Sequence, residues 1–175
     1  MAGLEMEATE NPDFPDNLDE AEVRHALRYM TWELNGFPIW LEPMHQAFPD
    51  LVEESVIKEI LWELEKAWSD EPRHSILHDL VYHAPWLHES IAPVILEWMK
   101  ANPTRADANR HYCLHILVKG ETEADRLSEL ANRQISYTKD PDSIPWWYAL
   151  RVDCEPSLGI PEFENWLSGL DKETA

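Results

Sequence analysis

The sequence predicts an all-α fold, and three observations carry that prediction. Apolar residues recur at three- and four-residue steps through most of the 175 positions, the period of a helix that buries one stripe. Proline marks the junctions between those stretches, and glycine is scarce, five against thirteen prolines. Hairpin turns want glycine or asparagine at positive φ, whereas helices readily open on proline. No segment sustains strand alternation.

Residues 1–17 are acidic, lack Lys and Arg and show no period, so they read as a flexible or loosely docked lead-in. The first helix starts at Asp19, an N-cap residue with Glu22 three positions on in box-like spacing. Its stripe is Val23, Ala26, Leu27, Met30 and Leu34, and Asn35-Gly36 before Pro38 stops it. A short helix over 39–48 follows, bent or restarted near Pro43. The helix from Pro49 to Trp68 organises the rest: Val52, Val56, Ile57, Ile60, Leu61, Leu64 and Trp68 form one stripe. Glu53, Glu54, Lys58, Glu59, Glu63, Glu65 and Lys66 form the expected solvated face, with Glu54 placed to pair with Lys58 four residues on. Each large side chain in the stripe stabilises by roughly 1.5–3 kcal/mol when removed from water, so flanking helices are required.

Ser69-Asp70-Glu71-Pro72 signals a restart, and Ile76, Leu77, Leu80 and Val81 carry the next stripe. Ala84-Pro85-Trp86 breaks it. Ile91, Val94, Ile95, Trp98 and Met99 continue in another helix, with Pro93 expected in or near its first turn. Asn102-Pro103-Thr104 opens an element faced by Tyr112, Cys113, Ile116 and Leu117 and stopped at Lys119-Gly120. A helix from Thr122 buries Leu127, Leu130 and Ala131, with Glu129 four residues before Arg133. Ser143 is an N-cap candidate for an aromatic helix over 144–152, and Gly159-Ile160-Pro161 opens a last short helix holding Phe163, Trp166 and Leu167. Residues 171–175 read as a polar tail. Long and short helices alternate at roughly 35–40 residues, near the period of HEAT-like repeats. Residues 18–170 are therefore expected to form a single domain, an irregular HEAT-like α-solenoid of antiparallel hairpins, with a compact helical bundle as the alternative.

The net charge of −20 opposes nucleic acid and anionic membrane and favours a basic protein partner. Two cysteines, Cys113 and Cys154, make no disulfide framework and fit a reducing compartment as small buried hydrophobes. No apolar run approaches the ~18 residues of a membrane span, and the expectation is a cytoplasmic protein.

Chemical motifs are sparse. Five scattered glycines cannot cradle phosphates, and neither G-x-x-x-x-G-K-[ST] nor G-x-G-x-x-G occurs. G-x-S-x-G is also missing, so neither an enzyme nor a cofactor nor a small-molecule substrate is expected. Eight histidines include two i,i+4 pairs, His74 with His78 and His111 with His115. Such a pair can give two imidazoles to one zinc ion, but a third ligand is needed. Asp79, Glu89 and Cys113 are the nearest candidates, and surface histidines are the plainer reading. The E-x-x-H strings at Glu22/His25 and Glu71/His74 have di-iron spacing, yet both fall in helix first turns, where Glu is expected anyway.

Nine tryptophans exceed what the stripes accommodate. Trp40, Trp86, Trp146 and Trp147 stand at helix starts, where an aromatic can anchor a partner. Core packing is the competing reading for each.

Trp32-Glu33-Leu34-Asn35-Gly36-Phe37-Pro38 and His78-Asp79-Leu80-Val81-Tyr82-His83-Ala84-Pro85-Trp86-Leu87 resemble segments of the helical, HEAT-like regions of large bacterial NACHT/STAND-type ATPases. The resemblance implies a sensor or scaffold role without catalytic residues, in an excised module or a stand-alone relative. The expected function is thus a non-catalytic protein–protein interaction or sensing module. The alternative is an acidic antagonist, an immunity protein or nucleic-acid mimic that plugs the cleft of a basic toxin or nuclease.

Overall fold

The computed structural model describes residues 2–33, 36–66, 75–103, 109–138 and 140–173. Those residues contain ten α-helices and no strand, as the apolar period requires. The segment expected to be a loose lead-in instead forms α1 (Ala2–Glu10), followed by turns through Asn17. Leu4 and Ala8, with Phe14 and Leu18 beyond them, pack against the core. That spacing of four is too short a pattern to stand out in an acidic run.

α2 (Glu20–Leu27) starts as its residues dictate. The Asp19 carboxylate accepts from the amides of Ala21 and Glu22, both at 2.9 Å, and Glu22 returns to the Asp19 amide at 2.9 Å. Val23, Ala26, Leu27 and Met30 are buried as expected, but the helix ends earlier than its stripe suggests. Bonds of i→i+3 type, from Tyr29 to Ala26 and from Trp32 to Tyr29, tighten the chain after Leu27 and leave Trp32 66% exposed. Leu34 and Asn35 lie outside the described residues. Gly36 does adopt the left-handed conformation, φ +88°, and a Cβ there would lie 2.6 Å from the His83 ring.

α3 (Leu41–Ala47) and α4 (Pro49–Lys66) meet at one residue. The Phe48 amide closes α3 on Met44, while its carbonyl opens α4 by accepting from Val52. Val52, Val56, Ile60 and Leu64 are buried; Trp68 and the restart at 69–72 lie outside the described residues. Glu63, expected on the solvated face, is buried. Glu54 pairs across to Arg24 of α2 at 2.9 Å rather than with Lys58.

α5 (Ile76–His83) buries Ile76, Leu77, Leu80 and Val81. A 3₁₀ turn over Pro85–Leu87 leads into α6 (His88–Ala101), with Pro93 in the second turn on the exposed side. α7 (Arg110–Lys119), α8 (Ala124–Tyr137), α9 (Ile144–Cys154) and α10 (Pro156–Glu173) complete the order. α10 begins three residues before Gly159 and is far from short. Gly159 lets it cross close to α9, since a Cβ there would meet the Val152 backbone at 2.8 Å.

The principal packing joins α2, α3, α5 and α6 to α4, α5 to α7, α6 to α7 and α8, α8 to α9, and α9 to α10. Buried polar links pin these contacts. Glu63 of α4 accepts from the Leu77 amide at 3.0 Å and the Ser75 hydroxyl at 3.2 Å, so its carboxylate serves the exposed amides at the start of α5. The amide nitrogen of Asn109, just before α7, stands 3.4 Å away. His88 donates from Nε2 to the Leu80 carbonyl at 2.9 Å and joins α6 to α5. Arg151 of α9, buried, donates to Ser128 of α8 and to Glu155, and its Nε reaches Glu162 of α10 at 3.3 Å. Cys113 is buried as expected. Loss of water, with the Glu63 charge nearby, pushes its thiol up to about 12.

Gly120 shows how tightly α6 and α7 approach. A Cβ would stand 2.5 Å from the His88 carbonyl oxygen and 2.8 Å from the Ala92 methyl. The left-handed stop therefore falls on the next residue, Glu121 (φ 54°), with the Thr122 amide bonded back to the Leu117 carbonyl at 3.2 Å in a Schellman arrangement. Gly120→Ala should cost about 1–3 kcal/mol through overpacking, read as a lowered midpoint in urea denaturation.

Candidate functional site

Two groups of residues singled out in the sequence meet in one place. α7 presents Cys113, Ile116 and Leu117 to the core. A second face, His111, Leu114, His115 and Val118, repeats at i, i+3, i+4 and i+7 and looks toward α9. Together with Lys119 and with Trp146 of α9 it lines a hollow of about 300 Å³. Ser143 does precede α9, but its hydroxyl bonds Asp140 instead of capping the helix, and that bond holds the Asp140 carboxyl below its usual range. The helix then turns Trp147, Tyr148, Leu150 and Arg151 inward, which sends Trp146 outward, 52% exposed.

The hollow is apolar in its walls and cationic at its edge. The Arg110 guanidinium lies 5.5 Å from the Trp146 ring centroid, a cation–π distance. The His111 ring lies 3.7 Å from that of Tyr112. His111 is held below the usual histidine value by loss of water and then by the Arg110 charge. Loss of water also lowers His115, helped by His88, whose ring is 5.8 Å away, and by Lys119. The lowering favours the neutral form of both imidazoles, in which each ring has one donor and one acceptor nitrogen. Among the described residues no hydroxyl or thiol lines the hollow.

The other singled-out residues do not join it. His78, on α5, stands 3.1 Å from Asp79 Oδ1 and packs against Tyr82 and Tyr112, while His74 lies outside the described residues. No three His, Cys, Asp or Glu among the described residues are grouped as a metal site would need. Glu22 of the first E-x-x-H string is occupied in the capping box; the second string falls outside the described residues. Trp86 is half-buried against the His45 ring, 4.9 Å away. Trp40 and Trp147 are fully buried, which removes them as surface anchors. Pro38 and Trp40 turn inward while Ile39 points out, and of two adjacent tryptophans on a helix, 100° apart, only one can leave the core. Exposed instead are Trp32 and Trp62, at 66% and 49%. The i,i+4 spacing of His111 and His115 was visible in the sequence; Leu114, Val118, Arg110 and Lys119 beside them were not singled out, because pairing with α9 is a long-range matter.

Comparison of the chain with known protein families, curated proteins and solved structures gives no match. No helix among the described residues is long and apolar enough to cross a membrane.

Trp147→Ala should cost about 3–5 kcal/mol, while Trp146→Ala should stay within about 0.5 kcal/mol of the parent, both read by chemical denaturation. His111 and His115 should titrate below the ordinary 6.5 in a proton-NMR pH series. Because their folded-state values are depressed, the unfolded chain takes up those protons first, and stability should fall as pH drops below that ordinary value.

Proposed function

We propose that this chain is a non-catalytic protein-interaction or sensing module built from stacked helical hairpins. The observation that supports it best is that Trp32, Trp62 and Trp146 each keep about half or more of their surface in water. Tryptophan is seldom left so exposed without a partner to cover it, and it heads the residues that dominate binding energy. A HEAT-like arrangement is consistent with helices that pack chiefly on neighbours one or two places along the chain. In that case the His78–Leu87 phrase is the joint between α5 and α6, and a scaffold or sensor role like that of the NACHT/STAND helical regions follows. The charge of −20 selects a basic partner and quickens encounter with it.

A second reading, the acidic antagonist of a basic toxin or nuclease, is favoured by one feature. Residues 1–23 carry eight carboxylates and no Lys or Arg, and most of them sit on the helices and turns of α1 and α2 rather than on a loose tail. A fixed array of carboxylates can imitate a phosphate backbone.

Pull-downs from the native cell at about 0.05 M and about 0.5 M salt, with the parent chain and a Trp32→Ala/Trp62→Ala/Trp146→Ala variant, separate the two. The module reading expects a partner that survives high salt and is lost from the triple variant. The antagonist reading expects a basic partner that leaves at high salt and ignores the tryptophans. Capture of no protein under either condition overturns both.

A further inference from the structure

α1 and α2 do not close on each other. A groove of about 410 Å³ runs between them, with Leu4, Leu18, Ala21 and Ala26 along its floor and sides. That volume falls within the roughly 300–1,000 Å³ range of sites that seat a ligand, room for the anchoring side chains of about one helical turn.

Three carboxylates, Glu7, Asp19 and Glu22, rim the groove, and each is held in place. Glu7 Oε1 accepts from the Asn17 amide at 3.1 Å; Asp19 Oδ1 and Glu22 Oε2 are engaged in the capping box. The second oxygen of each carboxylate accepts nothing from the described residues. Charge-assisted bonds to such preset acceptors lose little side-chain freedom on binding. Within residues 1–23 there is no Lys or Arg, Arg24, the first to follow, faces away to Glu54 on α4, and the basic side chain in the groove's lining is the imidazole of His25.

We propose that this groove is the docking site for an amphipathic, basic helical segment of the protein partner. The segment's apolar side chains, spaced i, i+3, i+4, would fill the floor, and its Lys or Arg residues would meet Glu7, Asp19 and Glu22. Charge complementarity decides the occupant, because an acidic segment or an anionic surface would face three carboxylates against the single imidazole of His25. The inference rests on the reading of the chain as a binder of basic protein.

The test uses the full chain, isotope-labelled, and three synthetic helical peptides: one built from Leu and Lys, one with Glu replacing Lys, and one with Ser replacing Leu. The Leu/Lys peptide should shift the amides of 4–8 and 18–26, and the other two should bind at least about tenfold more weakly. Ala21→Arg, an exposed change that fills the groove with bulk and positive charge, should weaken the Leu/Lys peptide about tenfold. Glu7→Gln should weaken it about threefold, and Tyr137→Ala, an exposed change at the end of α8, should leave it unchanged, with circular dichroism reporting an intact fold throughout. Leu/Lys binding that maps elsewhere or ignores Ala21→Arg overturns the groove but not the basic-partner reading; no binding, or equal binding of the Glu peptide, overturns both. Concentration-dependent dimerisation abolished by Ala21→Arg would assign the groove to a second copy of this chain and overturn the proposal.

Discussion

The buried carboxylate of Glu63 is the constraint on which the middle of this molecule depends. A carboxylate taken out of water must be matched with donors or it destabilises the fold, and here the donors come from other elements: the Ser75 hydroxyl and Leu77 amide at the start of α5, with Asn109 close by at the start of α7. α4, α5 and α7 are thereby set in register by a polar group, while the hydrophobic stripes around them specify only which faces meet. Arg151 does the equivalent for α8, α9 and α10. Together the two charges fasten the helices on either side of α6.

This division explains which parts were legible in the sequence. Stripes are local, so the inward faces of α4, α5, α6 and α8 followed from spacing alone, as did the Asp19 capping box. Polar links between helices are not local. Glu63 has the same spacing as its solvated neighbours, and nothing near it in the chain marks it as the cap of a helix that starts after Lys66. His88 and Arg151 were hidden for the same reason. Ion pairing erred in the same direction: Glu54 and Glu129 had cations one turn away, yet bond Arg24 and Lys100 on other helices. Trp40, for which the sequence allows both core packing and a surface role, is buried because a turn, rather than a helix, sets its direction. Of the hollow between α7 and α9 only the His111–His115 pair was legible by spacing; Leu114, Val118 and closure by Trp146 follow from tertiary packing.

Charge and aromatic surface are separated in the molecule. A run of carboxylates without Lys or Arg between them covers α1, its following turns and the first turn of α2, whereas the hollow beneath Trp146 is edged by Arg110 and Lys119. α2 itself divides the two signs, with Asp19 and Glu22 toward α1 and Arg24 toward α4.

The one-residue joints carry a further meaning. Phe48 between α3 and α4, Ala84 before the 3₁₀ turn and Glu155 between α9 and α10 leave no slack in the chain. A hinge needs residues whose dihedrals can swing without breaking helical bonds, and Phe48 is committed to both of its helices at once. Each joint also sets rotational phase: one added residue would turn the following helix by about 100° and roll its apolar stripe off its neighbour. These junctions should accordingly be the places least forgiving of length change, more so than any single side chain they connect.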